Sequence, residues 1–227
     1  MNVLAVETST ELCSVALLRG PELFVEEVLA QNRHSEVLVA MVRKVLSRAR
    51  LTAAQMDAFA FGQGPGSFTG IRIACGIVQG MAFAARRPVV PVPSLLALAE
   101  QSNEQRVITA FDARMGEAYL AAYARNGDHW NEVISPRLAD AHSLPPLPGR
   151  SWVASGSGFD QHPWLRDAYR ASVAMRLEGD LPRAGAIARL AARDFARGAA
   201  VPAERAAPLY LRDKVALTTE ERQRAKR

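Results

Sequence analysis

The segment GQGPG at 62–66 separates the apolar run MDAFAF from more than a dozen residues almost free of charge, which calls for a strand, a tight turn and a helix in that order. The helix is expected over residues 70–86. Gly64 and Gly66 would supply the unusual backbone angles of the turn, and Ser67 or Thr69 would cap the helix. The free N–H groups of such a helix start could also receive an anion. It is no Walker loop, because Gly70 is followed by Ile71-Arg72 where a lysine is required. Nor is it the G-x-S-x-G elbow of a hydrolase, since Ser67 follows Gly66 directly, and SGSG at 155–158 fails the same test.

The helix beyond the turn is apolar well past the stripe that packing on a sheet needs. Its polar side chains, Arg72, Gln79 and Arg86, recur every seven residues and fall in one narrow column. Ile71, Ile73, Ala74, Ile77, Val78, Met81 and Phe83 occupy the rest, while Gly76, Gly80 and Ala84 form a four-spaced small row that lets another helix approach closely. A second helix, residues 34–50, places Leu38, Met41, Val42, Val45, Leu46 and Ala49 on one face, and its apolar sector covers about half the circumference. Either the chain has a thick core of its own, or these two helices meet their counterparts from a second protomer in a bundle.

The remaining segments follow an α/β pattern. NVLAVETS, LCSVALLRG and LFVEEVLA read as a meander of three strands; PVVPV is a strand, and Ser94 is a plausible N-cap for the helix after it. RVITAFD opens a second group of strands with an Asn-Gly turn at 126–127, and RAGAIARLAARDFARG is an amphipathic helix stopped by Gly198. Strands followed by helices repeat at a spacing of about 100 residues, the size of one small domain. The expected division is therefore an N-terminal lobe at 1–102, a C-terminal lobe at 103–201, and a segment from 202 to 227 that packs back toward the first lobe. Mixed sheets flanked by helices are the natural architecture.

Composition excludes several classes. With 49% hydrophobic and 22% charged residues the chain is neither disordered nor fibrous. Its apolar runs fall short of the ~18–20 residues of a bilayer span, and Met1 leads into a strand rather than a leader, so a cytoplasmic location without membrane contact is expected. Cys13 and Cys75 form no C-x-x-C pair and are expected to be buried thiols. The net charge of +5 owes part to the tail ERQRAKR, either a solvated terminus or a weak attractor of RNA phosphates.

Catalytic equipment is sparse. His34, His129, His142 and His162 include no helical pair at a spacing of three or four, so no histidine metal site is expected. His34 is expected at the surface or as a cap, with His142 and His162 exposed beside prolines. Glu7 ends a buried strand, and Asp112 ends another two residues before Arg114. Acids at strand ends serve ligands or turns alike; for Asp112 a local salt bridge with Arg114 is the simpler expectation.

VLAVETST, LCSVAL, HSE, GQGPGSFTGIRIACG, QGMA, VPSLLALAE, DARMGEAYLA and PLYLR occur in that order across nearly the whole chain. Together they resemble the bacterial tRNA threonylcarbamoyladenosine biosynthesis family TsaB, also called YeaZ. The resemblance implies a two-lobed fold like that of the actin, Hsp70 and sugar-kinase ATPases. It implies a non-catalytic subunit that pairs with the TsaD transferase paralogue and the TsaE ATPase to place threonylcarbamoyl on adenosine 37 of tRNA. The subunit is expected to be a homodimer when alone and to meet tRNA only through the complex. Carried onto this sequence, the family's helical pairing surface falls on Leu38, Met41, Val42, Val45, Ile71, Ala74, Ile77, Val78, Gly80 and Met81. Glu7, Thr8, Ser9, Gly64, Gly66, Ser67, Thr69 and Asp112 mark a candidate vestigial nucleotide or anion site. No intrinsic cofactor, metal or catalytic residue is implied, and any nucleotide would sit at the boundary with a partner. The competing expectation is an ATP- or metal-dependent transferase or peptidase of the same superfamily, with its own site around Glu7, Ser67, Asp112 and Ser157.

Overall fold

Val3, Leu4, Ala5 and Val6 are completely buried in β1 (Asn2–Glu7), so both faces of the sheet around this strand must be covered. The computed structural model describes residues 1–31 and 33–212. β2 (Leu12–Arg19) and β3 (Glu22–Leu29) extend β1 as an antiparallel meander. β4 (Ala58–Gly62) and β5 (Val89–Val92) join it in parallel on the other side, giving the order β3-β2-β1-β4-β5.

The second sheet repeats this plan. β6 (Arg106–Asp112), β7 (Ala118–Asn126) and β8 (His129–Ala139) are the antiparallel meander, and β9 (Trp152–Ser155) and β10 (Val173–Leu177) are the parallel additions. The order β10-β9-β6-β7-β8 is that of the first sheet seen from its opposite edge. The two-lobed α/β arrangement is therefore a duplication, matching the repeat expected from the sequence.

Among the described residues six α-helices cover four sheet faces. α1 (His34–Ala49) and α2 (Phe68–Ala85) pack Leu38, Val45, Ala74 and Val78 onto Leu4, Val6, Phe59 and Phe61. On the second sheet, α4 (Ser157–Gln161) and α5 (Pro163–Tyr169) bring Phe159, Leu165 and Tyr169 against Ile108, Leu120 and Trp152. Between the sheets lie α3 (Ser94–Gln101) and α6 (Ala184–Ala196), packed on each other.

These two helices do not follow the expected domain boundaries. α3, assigned by sequence to the first lobe, packs Leu95, Leu98 and Ala99 on Val107, Phe111, Ala121 and Tyr123 of the second sheet. α6, assigned to the second lobe, sets Ala184, Ala186, Ile187, Ala188, Leu190 and Ala191 against Val3, Ala5, Ala16, Ala58 and Ala60 of the first. The reason is geometric, because the helices following each meander can cover only one face of an apolar sheet. Alanine on both sides of the α6 contact permits close approach.

α2 begins at Phe68, two residues before the expected start, because the Ser67 hydroxyl accepts the Gly70 N–H at 3.2 Å and caps the helix. Ser94 is no cap; Pro93 holds the N-cap position and Ser94 is a buried first helical residue. α4, α5 and β10 gave no clear periodic signal, being short and, in β10, half exposed. Residues 202–212 run back along α2, while the basic tail lies outside the described residues. By length and apolarity α2 alone among the described helices could cross a bilayer, yet Ile71, Ala74, Cys75, Val78 and Ala82 lie in the core of the first lobe.

Candidate functional site

Two regions gather the residues singled out by sequence: the turns at the carboxyl ends of the central strands, and the outer face of α2. At the first, Glu7 is wholly buried; its carboxylate accepts the Ser9 N–H at 2.6 Å and the Ser94 hydroxyl at 2.7 Å. Burial pushes its pKa above the usual carboxylate value, against the hydrogen bonds it accepts from Ser9 and Ser94. The Thr8 hydroxyl donates to the Gly70 carbonyl at 2.7 Å, and the Ser9 carbonyl accepts the Ser67 N–H at 2.7 Å. The turn after β1 is thus pressed into the turn before α2.

That contact accounts for two glycines. A Cβ on Gly66 would stand 2.4 Å from the Ser9 carbonyl oxygen, and one on Gly70 would stand 2.0 Å from that of Thr8. The start of α2 therefore faces the chain's own carbonyl oxygens, and the Ser67 and Gly70 N–H groups are already bonded. The glycines serve the approach of two turns.

The second lobe carries a related cluster. Asp112 bonds the Arg114 backbone N–H at 2.9 Å and lies 3.1 Å from His162 Nε2, while its own N–H donates to the Ser157 hydroxyl at 3.2 Å. The expected side-chain bridge to Arg114 does not form; Asp112 instead shapes the β6–β7 turn and pairs with a histidine. His162 is buried, its ring tilted against that of Trp164 with centroids 5.2 Å apart, contrary to its expected exposure, because the turn after α4 folds it inward. His34 is likewise buried, where α1 closes over the core. Among the described residues no three His, Cys, Asp or Glu side chains come together as a metal site.

On the helices, the structure divides the expected contact surface. Leu38, Met41, Val42, Val45, Ile71, Ala74 and Val78 are buried in the chain's own core, since the sheet needs those faces of α1 and α2. Ile77 and Met81 are half-buried and Gly80 is exposed, beside exposed Gly76, Ala84 and Phe83, the last at 74%. The polar column is also used internally: Gln79 donates to the Ala203 and Ala206 carbonyls at 3.2 and 2.8 Å, and Arg72 Nε to the Tyr210 hydroxyl at 2.7 Å. What remains outside is a strip of small and apolar residues. A Cβ at Gly76 or Gly80 would meet nothing within 4 Å, so internal packing requires neither glycine.

Comparison with known proteins fixes the family. The chain is 35% identical over 228 residues to the tRNA threonylcarbamoyladenosine biosynthesis protein TsaB of Escherichia coli K12, covering 95% of this chain and 96% of that one. The TsaB of Haemophilus influenzae is 36% identical, with 95% of each chain covered. The chain belongs to the TsaB family. Residues 26–160 also match the family model described as TsaD, tRNA N6-adenosine threonylcarbamoyltransferase, which ties TsaB sequences to that transferase. Among solved structures, YeaZ from Pseudomonas aeruginosa superposes with a TM-score of 0.83 at 36% identity, covering 92% of this chain and 99% of that one. A further Pseudomonas aeruginosa structure, described as similar to peptidase YEAZ, gives 0.84 at 35% identity, covering 93% and 99%. For this TsaB-family chain, periodicity alone identified the two apolar helices; the inward use of the Arg72–Gln79 column left no sequence signal, because its partners lie over 120 residues away.

Proposed function

We propose that this chain is a non-catalytic accessory subunit in the formation of N6-threonylcarbamoyladenosine on tRNA. It pairs through the outer strip of α2 with a TsaD-like transferase, forms a homodimer through the same strip when alone, and works with a TsaE-like ATPase. It meets tRNA only through that assembly, and any nucleotide sits at the shared boundary. The observation that carries this reading is the pair of solvent-facing glycines, Gly76 and Gly80, in the middle of α2. Each costs the isolated helix about 0.5–1 kcal/mol relative to alanine. No contact within the described chain offsets that cost, whereas another helix backbone could seat against them.

The test uses opposite signs. Gly76→Ala with Gly80→Ala should raise the stability of the isolated chain by about 1–2 kcal/mol and weaken both self-association and binding to the transferase. Urea unfolding gives the first quantity, and sedimentation and co-purification give the second. Tighter or unchanged association in the more stable variant would remove α2 as the contact. The rival, an ATP- or metal-dependent transferase or peptidase with its own site, must act through Glu7 and Ser67, both committed to internal hydrogen bonds. Stoichiometric ATP binding by the purified chain, lost in Ser67→Ala, would favour it.

A further inference from the structure

The motifs GPGSFTGIR, DARMGE and PLYLR lie far apart in sequence, yet they converge at one edge of the gap between the lobes. Residues 206–212 leave the region of α2 by a series of bonds. Cys75 Sγ and Gln79 Nε2 donate to the Ala206 carbonyl at 3.6 and 2.8 Å, and the Leu209 N–H donates to the Gln63 carbonyl at 2.7 Å. Arg72 donates to the Tyr210 hydroxyl and lies with its guanidinium 3.5 Å above the Phe68 ring. All of these partners belong to the first lobe. Two residues later the chain has crossed: Arg212 Nη2 donates to the Ala113 carbonyl at 2.9 Å and to Glu117 Oε2 at 2.5 Å, and Nη1 lies 3.2 Å from Met115 Sδ.

We propose that residues 206–212 are a clasp that fixes the angle between the lobes, with Arg212 as its latch. The inference is independent of the partner assignment above. Physically, a cleft between two lobes is held shut only by something that binds both sides of it. The α3–α6 contact already joins the lobes, and residues 206–212 add a second tie at the edge of the gap. The space beneath the clasp, bounded by Pro65, Gly66, Ile71 and Tyr119, measures about 50 Å³, room for a few waters. The latch is well placed to hold, because the Arg212 side chain is only 14% exposed and Glu117 30%, so their attraction is less screened than that of a surface pair. Its three partners, Ala113, Met115 and Glu117, all lie in one turn, so its loss frees one end of the clasp without unpacking a core.

The test is hydrogen exchange on the full chain, with spin labels on exposed positions of the two lobes, Ser47→Cys and Asp128→Cys. Cys13 and Cys75 are buried and would not take label. Arg212→Ala should accelerate exchange of the Leu209 amide at least tenfold, although that amide is bonded in the other lobe, and should broaden the distance distribution between the labels. Glu117→Gln, which keeps the Ala113 carbonyl as a partner, should do both to a smaller degree, and Arg212→Lys should restore part of the protection. If both Arg212→Ala and Glu117→Gln loosen only residues 113–117, with Leu209 exchange and label distances unchanged, Arg212 is a local turn contact and the clasp is refuted.

Discussion

Glu7 shows how a residue with a catalytic look can be fully occupied by structure. It is buried among Ser9, Ser94 and the apolar end of β1, and burial raises its pKa from 4.5. The native state therefore binds the Glu7 proton more tightly than the unfolded chain does. Stability contributed by this group is greatest below pH 4.5 and declines as pH rises from there through the raised native value. Glu7→Gln removes the titration and keeps an acceptor for the Ser9 N–H. Urea unfolding of both proteins across pH 4 to 8 should give a difference, variant minus wild type, that grows with pH. A difference that shrinks with pH would mean that hydrogen bonding outweighs burial at this carboxylate. The strand-end position of Glu7 is visible in the sequence; the Ser94 hydroxyl that holds it, 87 residues away, is not, because a serine after Pro93 at a helix start resembles a cap.

At the scale of the element, α1 and α2 separate what periodicity can and cannot resolve. Their excess of apolar residues was legible, as was the turn chemistry of Gly64, Gly66 and Ser67, because both are local properties. The direction of each face was not, since a helical wheel does not say which side a sheet will occupy. Seven of the ten residues expected at a partner surface turn inward, and only Ile77, Gly80 and Met81 remain on or near the outer strip. The distinction is measurable by comparing two variants. Leu38→Ala should lower stability by about 2–5 kcal/mol, as truncation of a core leucine does, and should affect association only through folding. Met81→Glu adds charge at a half-buried position and should reduce association much more than it reduces unfolding free energy. Equal effects of Met81→Glu on both quantities would place that side chain in the core after all.

For the whole molecule, the exchange of α3 and α6 between sheets matters more than the duplication itself. Each lobe borrows its inner cover from the other half of the sequence, so a cut at 102 is expected to leave neither piece independently stable. Strand and helix patterns restart at that point in the sequence, and nothing local in α6 reports which sheet it will meet. In a fragment of residues 1–102, the face bearing Val3, Ala5, Ala16, Ala58, Ala60, Val90 and Val92 would be open to water. An apolar sheet face of that extent favours aggregation over folding. The fragment is therefore expected to be insoluble or molten when expressed alone. Co-expression with residues 182–212 supplies both α6 and the segment that satisfies Gln79, and should yield a soluble complex with native-like near-UV dichroism and a cooperative thermal transition. Cooperative folding of 1–102 by itself would show that α6 is dispensable to the first sheet, and the lobes would then be separate domains after all.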